Sequence, residues 1–173
     1  MTRTTRPLLL ILIALAAAAP APPPAGAGPY QNAKAGFKIL PPPDWTNKGA
    51  GGHLVMFSDK SYQAFIFIDL IVSPDAVFID NDFKAFVDKK NDEVKKRVPS
   101  YKIITNRPND VGHLPGFVTE ASYQAGPETM VMSIFYVPSN KKIFIITAIC
   151  PQQTGRAWRD LMLRSVNTFD LLE

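Results

Sequence analysis

From Thr129 to Cys150 the chain carries two runs, Thr-Met-Val-Met-Ser-Ile-Phe-Tyr-Val and Lys-Ile-Phe-Ile-Ile-Thr-Ala-Ile-Cys, joined by Pro138-Ser139-Asn140-Lys141. Runs of β-branched and aromatic residues flanking a short polar turn are the pattern of paired antiparallel strands. Successive side chains of a strand point to opposite faces. Ile143, Ile145 and Ile149 therefore share one face, and Phe144, Ile146 and Ala148 the other. A strand with one wet face alternates apolar and polar residues, and this one does not. Both of its faces need cover, which places the hairpin in the middle of the molecule.

The core must hold that arrangement without a cross-link, because Cys150 is the only cysteine among 173 residues. An apolar fraction of 46% and a charged fraction of 20% are enough for one domain of ordinary size. The formal charge is +4, but Arg3 and Arg6 lie in a segment expected to be removed. Taking them from the 19 basic side chains leaves 17 against 15 acidic ones. That surplus is too small for a nucleic-acid footprint.

The segment in question has the layout of a secretory signal peptide. Its basic start precedes a 12-residue apolar run, Leu8 to Ala19, and then a stretch of small residues. The run is shorter than the ~20 residues a membrane-spanning helix needs. Ala25-Gly26-Ala27 offers a cleavage site before Gly28, whereas a proline follows each of Ala19 and Ala21. The expected organisation is a signal peptide over 1–27, a flexible linker over 28–35 and a single α/β domain over 36–173. Export would leave the mature protein periplasmic or extracellular.

Within the domain, Gly36 to Leu40 forms a first strand, broken by Pro41-Pro42-Pro43-Asp44 before Trp45. Asn47 to Gly52 is glycine-rich. A phosphate cradle needs such a loop between a strand and a helix start, with a lysine and a hydroxyl in place. A strand follows the glycines instead, which excludes nucleotide binding of that kind. His53–Ser58 and Ala64–Val72 make a second strand pair, the latter apolar on both faces except at Asp69. A carboxylate there needs a partner, or a place at the sheet margin. After a turn at Ser73-Pro-Asp-Ala, Asn81 or Asp82 caps a helix to about Arg97, with Phe83, Phe86, Val87 and Val94 on one side. Its lysines, Lys89-Lys90 and Lys95-Lys96-Arg97, interleave with Asp88, Asp92 and Glu93, the pattern of a solvated face. Strands at Tyr101–Thr105 and Phe117–Tyr123 precede the central hairpin. Thr154 then caps a helix to Arg164, with Ala157, Trp158, Leu161 and Met162 or Ser165 buried.

The sequence offers little chemistry. A zinc site needs three or four clustered ligands, and only two histidines exist, His53 and His113. Asp110 with His113 is the nearest approach to a metal site and falls short of that count. Asp75, Asp80 and Asp82 do not match a calcium loop, and no G-x-S-x-G elbow occurs. Cys150 closes an apolar strand, as a buried and inert thiol would. No catalytic residue and no cofactor site are identified.

Several segments together resemble the PsbP-like and DcrB-like proteins. They are Gly36-Phe-Lys-Ile with the turn ending at Trp45, the strand Phe65–Val72, the helix near Phe83–Arg97, Leu114-Pro-Gly-Phe117, the hairpin, and Ser165-Val-Asn-Thr-Phe169. The resemblance implies an α+β fold: a central antiparallel sheet with helices on both faces, an α/β/α sandwich. It also implies an exported, non-catalytic envelope protein acting as an accessory or binding module for a partner protein or small ligand. Two alternatives remain open. One is a hydrolase or metal-dependent enzyme whose site, assembled in the fold, has His113 or Asp69 lining a pocket. The other is a structural envelope protein held by an uncleaved N-terminus, the case in which membrane contact is expected.

Overall fold

The computed structural model describes residues 28–49, 52–61, 63–72, 80–153 and 155–172. The expected signal segment, the turn at Ser73–Ala76 and the cap residue Thr154 lie outside the described residues. The N-terminal half forms β1 (Tyr30–Asn32), β2 (Phe37–Ile39), β3 (Thr46–Asn47), β4 (Val55–Ser58), β5 (Phe65–Val72) and α1 (Asp80–Arg97). The remainder forms β6 (Lys102–Pro108), β7 (Phe117–Ala125), β8 (Glu128–Ser139), β9 (Lys142–Pro151), α2 (Gly155–Val166) and β10 (Asp170–Leu171).

Seven strands make one sheet in the order β3-β4-β5-β9-β8-β7-β6, and all its neighbouring pairs are antiparallel. The hairpin is the longest element of that sheet, and β9 lies between β5 and β8. Its turn is tighter than the sequence indicates. Ser139 pairs with Lys142 and Pro138 with Ile143, so only Asn140-Lys141 remain outside the ladder. Both have positive φ, 31° and 63°. Such two-residue turns match the twist of the flanking strands, which is why pairing runs through Pro138 and Ser139.

The two faces of β9 enter two separate apolar clusters. Phe144, Ile146, Ala148 and Cys150 join Met162 and Val166 of α2, with Phe37 and Ile39 of β2. Ile143 joins Ile134, Tyr136 and Phe117, with Phe83 and Val87 of α1. We refer to these as the Phe144 face and the Tyr136 face. Each fully buried large side chain contributes roughly 1.5–3 kcal/mol. Chain order alone does not anticipate a second, three-stranded sheet, β1-β2-β10, which joins both ends of the domain. Phe37 lies 5.7 Å from Phe144 and 5.6 Å from Phe169, and Trp45 lies 5.7 Å from Trp158. Proline residues offer no N–H, so Leu40 secures the start of the turn. Its N–H donates to Thr168 Oγ1 at 2.8 Å and its carbonyl accepts from Ser165 Oγ at 2.6 Å.

Some expectations need correction. Tyr30–Asn32 falls in the stretch 28–35 expected to be linker, yet it pairs with β2. The reason is the Tyr30 ring, which buries its edge against Phe57 at 5.4 Å. Helix α1 begins at Asp80, so Asn81 and Asp82 lie inside its first turn rather than at its cap. Ala157 is exposed, and Val166 is buried in its place.

Two polar devices fix local geometry. Buried Asp59 accepts the N–H groups of Ser61, Gln63 and Ala64 and the Ser61 hydroxyl, closing the β4–β5 turn. Across the Tyr136 face, Asn91 donates to Thr119 Oγ1 at 3.1 Å and Thr119 donates to Asn106 Oδ1 at 3.0 Å. Asn106 in turn donates to Asp88 at 2.8 Å, and Tyr101 donates to Asn91 at 3.3 Å. Desolvation pushes the Tyr101 hydroxyl up to about 12.

Burial opposes ionisation of Asp59, but the Ala64 N–H, the Ser61 hydroxyl and N–H, and the Gln63 N–H outweigh it and hold the carboxyl below its ordinary value. Asp59→Ala should lower unfolding free energy by about 1–3 kcal/mol at neutral pH. Because the native pKa is depressed, the ionic part of this stabilisation is present above the ordinary carboxylate pKa and is lost as pH falls through the native value. Urea titrations of parent and variant should therefore converge on acidification. Lys141→Gly should stabilise the hairpin by about 0.5–1 kcal/mol, since glycine adopts positive φ without strain, and raise the melting temperature.

Candidate functional site

Asp69 is the one charged side chain of β5, and the fold supplies its partner. The β4–β5 register pairs Val55 with Ile68, and Leu54 N–H donates to the Ile68 carbonyl at 2.9 Å. His53 thereby arrives beside β5. Its Nδ1 lies 2.8 and 2.9 Å from the two carboxylate oxygens of Asp69. A carboxylate only accepts, so Nδ1 carries the proton and Nε2 is the ring nitrogen left for a ligand. The imidazole also rests on Phe67, with ring centroids 4.6 Å apart, and Phe67 stacks on Phe65 at 5.7 Å. His53, Asp69, Phe65 and Phe67 are all half-buried, and so are Thr147 and Ile149, which pair with Phe67 and Phe65.

This arrangement can hold a proton and donate a hydrogen bond beside an aromatic strip. The hydrogen bond to Asp69 raises the His53 pKa above its ordinary value; burial lowers it, and the charge of Asp69 adds to the rise. A Ser–His–Asp relay through Ser58 does not form. Ser58 lies opposite Phe65, four residues along β5 from Asp69. At ~3.3 Å per residue that is ~13 Å, far beyond hydrogen-bond reach. Sequence reading singled out Asp69 but placed His53 inside a strand. Register goes part of the way: extending the Val55–Ile68 pairing outward sets position 54 opposite 69, and the bend before β4 carries His53 to Asp69.

The other candidates are dispersed. Asp110 and His113 flank a small loop closed by mutual backbone hydrogen bonds between Val111 and Leu114, at 2.9 and 3.0 Å. His113 is exposed, and its Nε2 lies 3.5 Å from Asp170 rather than beside Asp110. Among the described residues no group of three or more His, Cys, Asp or Glu side chains is placed to hold a metal ion. Cys150 is fully buried, and burial pushes its thiol up while Arg159 opposes the rise. A cavity of about 60 Å³ under α2 is lined by Glu120, Ser133, Cys150, Arg159 and Met162. Pockets for drug-sized ligands run to roughly 300 Å³ or more, so it is too small for an organic cofactor. Gly116, in the Leu114-Pro-Gly-Phe117 segment, sits where a Cβ would come within 2.6 Å of the Tyr136 carbonyl. That close approach seats the loop on β8.

The DcrB family model matches residues 41–168, most of the chain. The chain belongs to the DcrB family. No curated protein sequence matches it. Among solved structures it is similar to cyanobacterial PsbP (CyanoP) from Synechocystis, with 15% identity, a TM-score of 0.61, and 91% and 98% of the two chains covered. It is similar to LpqN of Mycobacterium tuberculosis, a protein involved in cell envelope biogenesis, with 15% identity, a TM-score of 0.57, and coverage of 84% and 90%. It is also similar to Mog1p, a Ran-binding protein of Saccharomyces cerevisiae, with 10% identity, a TM-score of 0.57, and coverage of 84% and 95%. These likenesses show a PsbP-like fold, dominated by antiparallel sheet with two helices. Among the described residues no helix is long and apolar enough to cross a membrane.

The raised His53 pKa sets a sign. The contribution of the ion pair to stability is full below the unfolded imidazole pKa and is lost as pH rises through the native one. His53→Gln should therefore cost more at pH 5 than at pH 9. The half-exposed pair is screened, which limits the difference to about 1 kcal/mol or less. Asp69→Asn should move the His53 midpoint downward in an NMR titration; an unmoved midpoint would mean the pair is not formed in solution.

Proposed function

We propose that this protein is an exported, non-catalytic envelope protein that docks a partner protein through the strip formed by His53, Phe65 and Phe67. The observation that carries this reading is an adjacent aromatic pair and a held imidazole, all three left half-buried on one face of the sheet. Aromatic residues anchor protein interfaces well, because they bury large area at small entropic cost. His53 Nε2 adds one directional contact to the strip. The likeness to LpqN, a protein involved in cell envelope biogenesis, supports an envelope setting. The likeness to Mog1p supports the use of this fold for holding another protein. The basic, apolar and small-residue layout of residues 1–27 supports export, with cleavage at Ala27.

The layer arrangement belongs to the same reading. We take α1 to cover the Tyr136 face and α2 the Phe144 face, which the two separate apolar clusters support. The strip then occupies the part of the Tyr136 face nearest β4 and β5.

Capture of the C-terminally tagged full chain from gently solubilised envelope tests the proposal. A stoichiometric partner should accompany the parent and be reduced at least tenfold by Phe67→Ser, with His53→Ala intermediate. Far-ultraviolet circular dichroism separates lost binding from lost fold. Reproducible turnover by the purified protein, abolished by His53→Ala alone, would replace the binding module with an enzyme.

A further inference from the structure

The strand order leaves β6 as an edge of the large sheet, with four strands between it and β4. At ~4.8 Å per strand, β6 and the His53 strip lie ~24 Å apart. On this edge two large apolar side chains face solvent: Ile103 is 47% exposed and Ile104 65%. Ile103 pairs with Ala121, and a register shift between Ile103 and Thr105 leaves Ile104 outside the ladder. Ile104 also borders the cavity under α2, on the Phe144 face, whereas Ile103 shares the Tyr136 face with Ala121. The two isoleucines thus project on either side of the edge.

Cations surround them. Lys95, Lys96 and Arg97 end α1, and a turn closed by Tyr101 N–H to the Val98 carbonyl at 2.9 Å leads directly into Lys102. All four are exposed, as is Arg107 further along β6. Of the earlier lysines of α1, Lys84 pairs with Asp88 and Lys90 with Glu93, while Lys89 is exposed. Among the described residues Lys95, Lys96, Arg97 and Lys102 make no ion pair. Asp92 is the exposed carboxylate that remains near them in the sequence.

We propose that this edge is a second docking surface, and that its occupant is the anionic phospholipid surface of a membrane. An added β-strand fits poorly, because the bulge and the missing N–H of Pro108 interrupt the outward ladder. A bilayer surface needs no register. Its headgroups meet the cations, and the isoleucines enter the boundary between headgroups and acyl chains. Each Lys or Arg held near an anionic leaflet favours partitioning about fivefold, an effect that decays over a Debye length of ~8 Å at physiological salt. Membrane contact then does not depend on the N-terminal segment alone. A protein docked on the His53 strip and a bilayer at β6 can be engaged together.

Site-directed fluorescence on the purified full chain reads this surface independently of the N-terminus. An environment-sensitive NBD label is placed at Ile104→Cys and, as a control, at Lys60→Cys on the β4–β5 turn; buried Cys150 leaves the introduced thiol as the accessible one. The probes are vesicles of phosphatidylcholine alone, and of phosphatidylcholine with phosphatidylglycerol in equal parts. The label at 104 should brighten and shift to the blue on the anionic vesicles while the label at 60 stays unchanged. Lys95→Glu with Lys96→Glu should weaken the response roughly tenfold or more, and molar salt should abolish it. The proposal is overturned by silence at 104, by equal responses at 104 and 60, or by an equal response to neutral vesicles. A response to polyglutamate but not to vesicles also overturns it, and would assign the edge to an acidic protein segment. Partner capture through Phe67 is unaffected by these outcomes, so the two docking surfaces stand or fall separately.

Discussion

Strand β9 is largely apolar on both faces. Phe144, Ile146, Ala148 and Cys150 are buried on one side; on the other Ile143 is buried, and Ile145, Thr147 and Ile149 are half-buried, so the strand needs cover on both sides. The rest of the chain supplies two covers. On the Phe144 face the cover comes from both ends of the domain: β2, the proline turn with Trp45, helix α2 and Phe169. Phe37 stands against both Phe144 and Phe169, so the first strands and the last residues share one core. Ser165 and Thr168 hold Leu40 by hydrogen bonds across the whole sequence separation. The Ser-Val-Asn-Thr-Phe segment is therefore part of the core closure rather than a tail.

Much of the framework was legible from residues alone, because periodicity reports burial directly. The hairpin, the apolar β5 and both helices follow from patterns of two and of three to four. Of the small sheet only β2 is legible, as the strand within Gly36–Leu40. Its partners β1 and β10 are three and two residues long, too short for any period, and the pairing joins ends of the chain that carry no mutual signal. The turn read from the sequence, Pro138 to Lys141, is two residues longer than the observed Asn140-Lys141, since Pro138 is an ordinary turn residue by composition and only the ladder reveals that it remains paired. The resemblance to PsbP-like and DcrB-like proteins rested on apolar segments, which carry fold. It could not carry a site for the same reason.

The site illustrates a second limit. Asp69 stood out because one carboxylate interrupts an apolar run. His53 did not, because a histidine at the start of a strand is unremarkable by pattern. What joins them is a hydrogen bond from the bend before β4 to a residue of β5, and register is a property of pairing, not of either strand. Asp110 and His113 show the reverse error, in which proximity in sequence suggested a pair. The loop that holds them turns His113 toward Asp170.

Why the aromatic strip is left half-exposed follows from where α1 is held. The helix carries few apolar side chains, and Asn91 sits among them, fully inside. A buried amide needs partners, and Thr119 and Tyr101 provide them from the β6–β7 side of the sheet. Asp88 adds a bond to Asn106 on the same side. These bonds are directional, whereas contacts of Phe83 and Val87 with the sheet would tolerate sliding. The polar network therefore ties the middle of α1 to the β6–β7 side of the sheet. The strip at Phe65 and Phe67 lies away from those bonds, and both rings stay half-buried.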